Sequence, residues 1–160
     1  MLDINSPLGQ QSLDHEIEAT TIFLRYQGKN GYSYVHTNKA KPVPFDAYLM
    51  MGDSVRAIVE TKCRSDTSYL DFKVLRKNTW LLTESKLLKC CTIAASMKVP
   101  LYGFLYFTID KTLLVMQLSD KRGIPREYTR QKTETKATIN GGIASRWNAL
   151  IRMDNARVWK

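Results

Sequence analysis

A continuous apolar and aromatic run, LYGFLYFTI at Leu101–Ile109, is the feature that most constrains how this chain can fold. A strand with one exposed face alternates apolar and polar residues, whereas an uninterrupted apolar run is typical of a strand buried on both faces. The run is also too short to cross a bilayer as a helix. An interior strand needs a packed layer on each side, which favours a sheet flanked by helices.

The periodicity of the remaining sequence predicts, in order, a helix, three strands, a helix and two strands, followed by a basic tail. Residues 1–11 and Arg64–Leu75 are expected to be irregular. The expected helices are Leu13–Gln27, capped by Ser12, and Thr79–Met97, and the expected strands are Tyr32–Thr37, the two that flank the Met51–Ser54 turn, Leu101–Ile109 and Thr112–Leu118.

These elements predict an α/β fold with a mixed central sheet flanked by helices, in one domain covering residues 1–160. The core is expected at about residues 12–120. The basic extension at about residues 121–160 is expected to form a hairpin that turns at Asn140-Gly141-Gly142, between Thr138-Ile139 and Ile143.

The positive charge of the chain is concentrated near its end. The net charge is +9, and residues 121–160 hold ten Lys or Arg against three Asp or Glu, which leaves +7 in that quarter. A concentrated positive surface is typical of a protein that binds a polyanion such as nucleic acid, although a solvated basic face has the same composition.

The cysteines and the N-terminus indicate a cytoplasmic protein. Cys63, Cys90 and Cys91 are odd in number and show no CxxC spacing, so we expect buried thiols and no structural zinc site.

The segment Val43–Arg64 carries the residues that are candidates for metal binding and catalysis. Asp46 precedes the turn, and Glu60 and Lys62 end the strand that follows it. Residues two apart on a strand share a face, so Glu60 and Lys62 point the same way. The turn would fold the first strand back and bring Asp46 beside Glu60.

Two carboxylates at one sheet edge favour a hard divalent cation, which prefers oxygen ligands and promotes phosphodiester hydrolysis. We expect Asp46, Glu60 and the backbone carbonyl of Thr61 to be ligands. Lys62 is expected to orient the attacking water or help remove its proton. A carboxylate of the first helix is a candidate for completing the shell.

The chain contains the pattern Glu-x-Lys three times, and the context separates the three. Glu84-Ser85-Lys86 lies in a predicted helix, where residues two apart do not share a face. Glu134-Thr135-Lys136 follows no apolar strand. Only Glu60-Thr61-Lys62 ends an apolar strand that is preceded by a strand with an Asp.

This arrangement resembles the PD-(D/E)xK nuclease superfamily over about Leu13–Leu118. The resemblance implies a restriction-endonuclease-like core and a Mg²⁺-dependent endonuclease, with Mn²⁺ as a substitute ion. It also implies a metal-facing glutamate on the first helix, which both Glu16 and Glu18 match; Glu16 suits the apolar spacing better. The sequence departs from the common pattern in placing Phe45 between the proline and Asp46.

Size and layout within the superfamily are most similar to the small Holliday-junction resolvases of archaea and phages, which take part in DNA recombination and repair. That likeness implies a basic homodimer that binds branched DNA, in a bacterial or phage-infected cell, with no membrane association. The basic loop Asn38–Lys41 is similar to one those enzymes carry. The superfamily also includes restriction enzymes, repair nucleases, exonucleases and inactive members.

Two alternatives stay open at this point. One is a non-catalytic nucleic-acid-binding module of the same fold, and the other is a nuclease that acts on another DNA substrate or on RNA. The hairpin could likewise extend the sheet or form a dimer contact, and Trp147 and Trp159 could stack on an unpaired base. The residues expected to contact nucleic acid are Lys39, Lys41, Lys86, Arg126, Arg130, Lys132, Lys136, Arg146 and Arg152.

Overall fold

A six-stranded mixed sheet forms the centre of the molecule, and a second sheet of three strands packs beside it. The structure is a computed structural model that describes residues 5–41, 43–136 and 143–160. The elements are α1 (Pro7–Gln27), β1 (Tyr32–His36), β2 (Ala47–Met51), β3 (Ser54–Arg64), α2 (Tyr69–Leu75), β4 (Thr79–Thr83), α3 (Glu84–Met97), β5 (Leu101–Phe107), β6 (Thr112–Ser119), β7 (Thr129–Lys136), β8 (Ile143–Arg152) and β9 (Arg157–Trp159).

Helix α1 begins at Pro7, so the predicted start at Leu13 and the predicted Ser12 cap are wrong. The Ser6 side chain accepts a hydrogen bond of 3.1 Å from the Gly9 amide and caps the helix. Proline is favoured in the first turn because its missing N–H would have no helical partner there. The helix packs Ala19, Ile22 and Phe23 against the main sheet.

The main sheet has the strand order β1-β2-β3-β5-β6-β9. Strands β3 and β5 pair in parallel, and the other neighbours pair antiparallel, as expected for a mixed sheet. The β2–β3 turn lies where the sequence predicted it, with Gly52 at a φ of 58°, a conformation that glycine adopts without steric cost.

Strand β5 is the interior strand that its apolar run predicts. Phe104 and Tyr106 pack in the layer under α1, whereas Leu105 and Phe107 pack in the layer that contains α3 residues. All four side chains are fully buried, so they are core residues and not a surface for base stacking. The three cysteines are free thiols; Cys90 and Cys91 are buried, as predicted, whereas Cys63 is only half-buried.

The segment predicted as one helix at Thr79–Met97 is instead a strand followed by a helix. Trp80 and Leu82 are buried and Leu81 is exposed, which is the alternation of a strand. Thr79–Thr83 pairs antiparallel with β8, so the later part of the chain selects the strand conformation.

The expectation that Arg64–Leu75 is irregular is also wrong, because this segment contains helix α2. The Ser68 side chain caps it by accepting a hydrogen bond of 3.1 Å from the Asp71 amide. Phe72 is its only buried residue, and its ring contacts Phe107 with centroids 5.0 Å apart.

The C-terminal extension forms most of the second sheet, in the order β4-β8-β7. Strands β7 and β8 pair antiparallel from Thr129 opposite Leu150 to Lys136 opposite Ile143. The turn expected at Asn140-Gly141-Gly142 lies outside the described residues. Strand β9 returns to the edge of the main sheet beside β6. No helix in the described ranges is both long enough and apolar enough to cross a membrane.

Replacing Gly103 of β5 with alanine tests the packing between the two sheets. A Cβ at this position would overlap the Trp80 ring and lie 2.8 Å from Leu118 Cδ1, both in the buried core. We expect Gly103→Ala to lower the free energy of unfolding by about 1–3 kcal/mol, measured by urea denaturation. Gly28→Ala is the control, because its Cβ would meet only Leu24 Cβ at 3.9 Å. Equal stability of the two variants would contradict this account of the core.

Candidate active site

A cleft of about 910 Å³ opens where β2 begins and β3 ends, between the first half of α1 and the start of α3. The side chains of several separate elements line it. Those that the sequence singled out for metal binding or catalysis are Glu16, Asp46, Glu60, Thr61 and Lys62.

Asp46 is fixed by hydrogen bonds to β3 on both its backbone and its side chain. Its backbone amide donates to the Val59 carbonyl at 2.8 Å. Its Oδ2 accepts a hydrogen bond of 2.7 Å from the backbone amide of Thr61. The antiparallel pairing of β2 with β3 therefore holds this carboxylate beside the end of β3, as the turn predicted.

Glu60 is buried, with 3% of its surface exposed, although it is a carboxylate. Lys86 of α3 donates a hydrogen bond to Glu60 Oε1, and Oε2 has no hydrogen-bond partner in the part of the chain that the structure describes. Burial, together with the nearby charge of Asp46, raises the pKa of Glu60 to about 8, although the Lys86 amine opposes this shift.

Glu16 reaches the same cleft from α1, and Lys39 joins it to Asp46. Lys39 Nζ lies 3.2 Å from Glu16 Oε2 and 3.0 Å from Asp46 Oδ1. Burial raises the pKa of Glu16, and the Lys39 charge opposes the rise. His36 Nδ1 is 3.9 Å from Glu16 Oε2, and burial and Lys39 lower the pKa of this histidine.

Glu18, the alternative to Glu16, does not line the cleft. Its Oε2 accepts hydrogen bonds of 2.6 Å from the Tyr106 hydroxyl and 2.8 Å from Lys111 Nζ. The geometry therefore favours Glu16 as the carboxylate that α1 contributes to the cleft.

The remaining two members of the central motif take opposite faces of β3. Thr61 directs its hydroxyl toward Tyr34, with the two oxygens 3.1 Å apart. Lys62 is exposed along the cleft and makes no ion pair with any residue in the described ranges. Its amine is therefore available to a bound molecule.

The carboxylate oxygens of the cleft suit a hard divalent cation, but in this structure they contact lysine amines. Carboxylate oxygens are the ligands that Mg²⁺ prefers, and the unpartnered Oε2 of Glu60 is a buried polar atom that a cation would satisfy. Within the described part of the chain, no three Asp, Glu, His or Cys side chains are grouped closely enough to hold a metal ion as they stand. Lys39 and Lys86 balance the carboxylate charges instead.

Of the residues expected to contact nucleic acid, four line the cleft: Lys39, Lys41, Lys86 and Arg146. Lys39 and Lys86 already contact carboxylates in the cleft. The sequence did not indicate that Lys39 bridges two carboxylates, because no periodic pattern marks the position of a loop residue.

The other basic residues whose side chains the structure describes do not line the cleft. Arg130 pairs with Glu84 at 2.7 Å and places its guanidinium carbon 4.3 Å from the centre of the Trp147 ring, and Lys132 lies opposite Trp147 on the neighbouring strand. Arg126 lines a different groove, and Arg152 pairs with Asp154 at 2.9 Å. The side chain of Lys136 lies outside the described part of the chain.

The folded chain resembles a solved structure of another protein. This is Hjc of Archaeoglobus fulgidus, a Holliday junction resolvase from an archaeal hyperthermophile. The superposition covers 84% of this chain and 91% of that one, with a TM-score of 0.50 and 14% sequence identity. The two proteins share a fold. No protein-family model and no curated protein sequence matches the chain.

The likeness supports the α/β fold that the sequence predicted, with a central mixed sheet and helices on it. At this identity it bears on the fold alone. The assignment of Asp46, Glu60, Lys62 and Glu16 to catalysis stays a prediction that rests on their geometry.

The pKa of Glu60 predicts how the metal-free protein responds to pH. The carboxyl group has a pKa of about 8 in the folded protein and an ordinary value of 4.5. Between these values the unfolded chain has released a proton that the folded protein still binds, so stability falls as the pH rises. We expect the free energy of unfolding to fall by about 1–3 kcal/mol from pH 5 to 8, measured by urea denaturation in EDTA.

Glu60→Gln should remove most of the pH dependence of the unfolding free energy. The pKa of Glu16 is also raised, so Glu16 should account for the pH dependence that remains. Glu127→Gln, at an exposed position, is the matched control and should keep the wild-type slope. An unchanged slope in Glu60→Gln would show that Glu60 does not titrate in this range.

Proposed function

We propose that this protein is a metal-dependent DNA endonuclease of the PD-(D/E)xK type. The observation that carries the proposal is the convergence of Glu16, Asp46, Glu60 and Lys62 on one cleft. These residues come from α1, from the residue preceding β2 and from the end of β3, in a fold shared with a resolvase. Fold likeness alone does not specify a reaction, so the proposal rests on the site.

The residues proposed to hold the ion are Asp46, Glu60, Glu16 and the backbone carbonyl of Thr61. Mg²⁺ is the proposed ion, with Mn²⁺ as a substitute. When bound, the ion supplies activation of a water molecule and neutralises the charge that develops on the leaving oxygen of the phosphodiester. The hydrogen bond from the Thr61 amide keeps Asp46 oriented toward the cleft.

Lys62 is proposed to act on the attacking water. It shares a strand face with Glu60, it is exposed to the cleft, and no carboxylate of the described residues holds its amine. An amine in this position can orient a water molecule or accept its proton, depending on its protonation state. Lys39 and Lys86 differ because they already contact carboxylates.

The proposed substrate is DNA, with the four-way junction as the leading candidate structure and a homodimer as the acting form. The fold likeness to Hjc motivates both choices. The positive residues Lys41 and Arg146 at the cleft suit a phosphate backbone, because backbone contacts supply most of the sequence-independent affinity for DNA. A cytoplasmic location and action on bacterial or phage DNA belong to the same proposal.

A non-catalytic nucleic-acid-binding module is the second candidate, and one observation favours it. The amines of Lys39 and Lys86 form ion pairs with the carboxylates that would otherwise bind a metal ion. A protein that has lost the reaction could keep these ion pairs for stability alone. The two candidates differ in whether a divalent ion displaces the amines and supports cleavage.

Cleavage of a labelled four-way DNA junction tests the proposed function. We expect the junction to be nicked in the presence of Mg²⁺ or Mn²⁺ and to stay intact in EDTA. Denaturing electrophoresis of the labelled strands measures the cleavage. Asp46→Asn and Glu60→Gln should each lower the rate by at least about 100-fold, because each removes a charged ligand, and Lys62→Met should lower it by about 10²–10⁴-fold. Linear duplex and matched RNA substrates establish the substrate class. Tight binding without metal-dependent cleavage of any substrate would favour the non-catalytic candidate.

Comparing Glu16→Gln with Glu18→Gln tests which carboxylate of α1 serves the site. We expect Glu16→Gln to lower the cleavage rate by at least about tenfold and to raise the Mg²⁺ concentration needed for half-maximal activity. Glu18→Gln should keep near-wild-type activity, because Glu18 pairs with Tyr106 and Lys111 away from the cleft. The reverse result would exclude the role proposed for Glu16.

A further inference from the structure

A second groove, of about 520 Å³, lies on the main sheet beyond the last turns of α1. Phe23 and Gln27 of α1 form one side of it, and β3, β5, β6 and β9 contribute its floor. None of the residues that line the catalytic cleft lines this groove. It is therefore a separate feature of the surface.

Three arginines line the groove, and no carboxylate does: Arg56, Arg126 and Arg157. None of the three forms an ion pair with a residue that the structure describes. Elsewhere on the surface, Arg122, Arg130 and Arg152 each pair with an acidic residue. The groove is thus a concave positive surface without internal charge compensation, which suits an anionic partner.

A β-bulge explains why Arg56 reaches this groove. Leu49 pairs with Ala57 and Met50 pairs with Val55, so Arg56 is the extra residue on β3. A bulge changes the direction of the side chain it carries. Val55 packs against the core layer on the α3 side, whereas Arg56 lines the groove together with Ala57. The placement of the guanidinium group is therefore built into the strand pairing.

Aromatic side chains lie between the arginines: Tyr32, Tyr102 and Trp159 line the groove and are each half-buried. Trp159 is held by a stacked contact with Tyr26, with ring centroids 5.2 Å apart, and by Phe23 at 6.0 Å. Rings that are fixed in place can stack on nucleic-acid bases with little loss of conformational entropy on binding.

We propose that this groove binds an unpaired nucleic-acid strand. Unpaired arginines for phosphates and half-exposed aromatic rings for bases are the combination that single-strand binding uses. The volume lies within the range of small-molecule pockets, so it suits a few nucleotides and not a duplex. A symmetric contact between this groove and the same groove of a second copy is disfavoured, because it would bring three more unpaired arginines against these three.

The groove and the catalytic cleft lie near opposite ends of the same helix. Glu16 of α1 lines the cleft and Gln27 lines the groove, which are separated by roughly 16 Å along the helix axis. Binding in the groove does not require the proposed endonuclease activity. It can therefore be measured in EDTA, where metal-dependent cleavage is absent.

Fluorescence anisotropy with a short labelled oligodeoxythymidine tests the proposal. We expect Arg56→Gln/Arg157→Gln to weaken binding by about tenfold or more and to reduce the slope of log affinity against log salt by about 1.4, or about 0.7 for each phosphate contact. Lys73→Gln/Arg76→Gln removes the same charge from exposed positions of α2 and its C-terminal cap and serves as the control. Equal losses in the two double variants would overturn the proposal.

Tryptophan fluorescence locates the bound strand. We expect the oligonucleotide to quench emission in the wild type and in Trp147→Phe, and the quenching to be lost in Trp159→Phe, because only Trp159 lines the groove. Loss of quenching in Trp147→Phe alone would place the strand on β8 and overturn the proposal. Equal weakening of duplex binding in the Arg56/Arg157 variant would overturn its single-strand character. Circular dichroism establishes that each variant is folded.

Discussion

The burial of a carboxylate, Glu60, at the end of an apolar strand is the constraint on which the site depends. A buried charge without a partner costs several kcal/mol, so the surrounding structure must supply a cation or the group must keep its proton. The chain uses both means, because Lys86 contacts Glu60 and the pKa of the carboxyl group rises to about 8. Lys39 plays a similar part between Glu16 and Asp46. The members of these pairs come from α1, the β1–β2 loop, β3 and α3, so the charge balance exists only when those elements have packed together.

The parts of the fold that depend on local signals could be predicted from the sequence. The turn at Gly52 fixes how β2 and β3 pair, and alternation along β3 fixes the face of Glu60, so the approach of Asp46 to Glu60 followed from a short segment. The start of α1 was also available locally, since serine followed by proline is a helix-start signal. The polar residues after Pro7 concealed it, because only one residue of the first six in the helix, Gly9, is buried.

The parts that depend on distant pairing could not be predicted in the same way. A short apolar run such as Trp80-Leu81-Leu82 fits a helix or a strand equally well. The pairing with β8 selects the strand conformation, and it joins Trp80 to Ile151, which is about 70 residues away in the sequence. The position of Lys39 has the same origin, because the packing of α1 against the sheet brings Glu16 to the loop. Sequence alone therefore indicated Asp46 and Glu60, left the choice between Glu16 and Glu18 open, and did not indicate which amines balance the carboxylates.

Helix α1 also explains why the sheet has a second functional candidate on the same face. The helix ends at Gln27, and the groove over β3, β5 and β6 lies beside its last turns. Ala57 and Val115 line this groove and are nevertheless buried, at 2% and 6% exposed. Long basic side chains can cover apolar surface with their methylene stems while their charged ends stay hydrated. Arg56 and Arg157 line the groove and can do this, and neither forms an ion pair with a residue that the structure describes, which leaves their charges available to phosphate. A structural role for the stems and a binding role for the charged ends are therefore compatible at the same two residues.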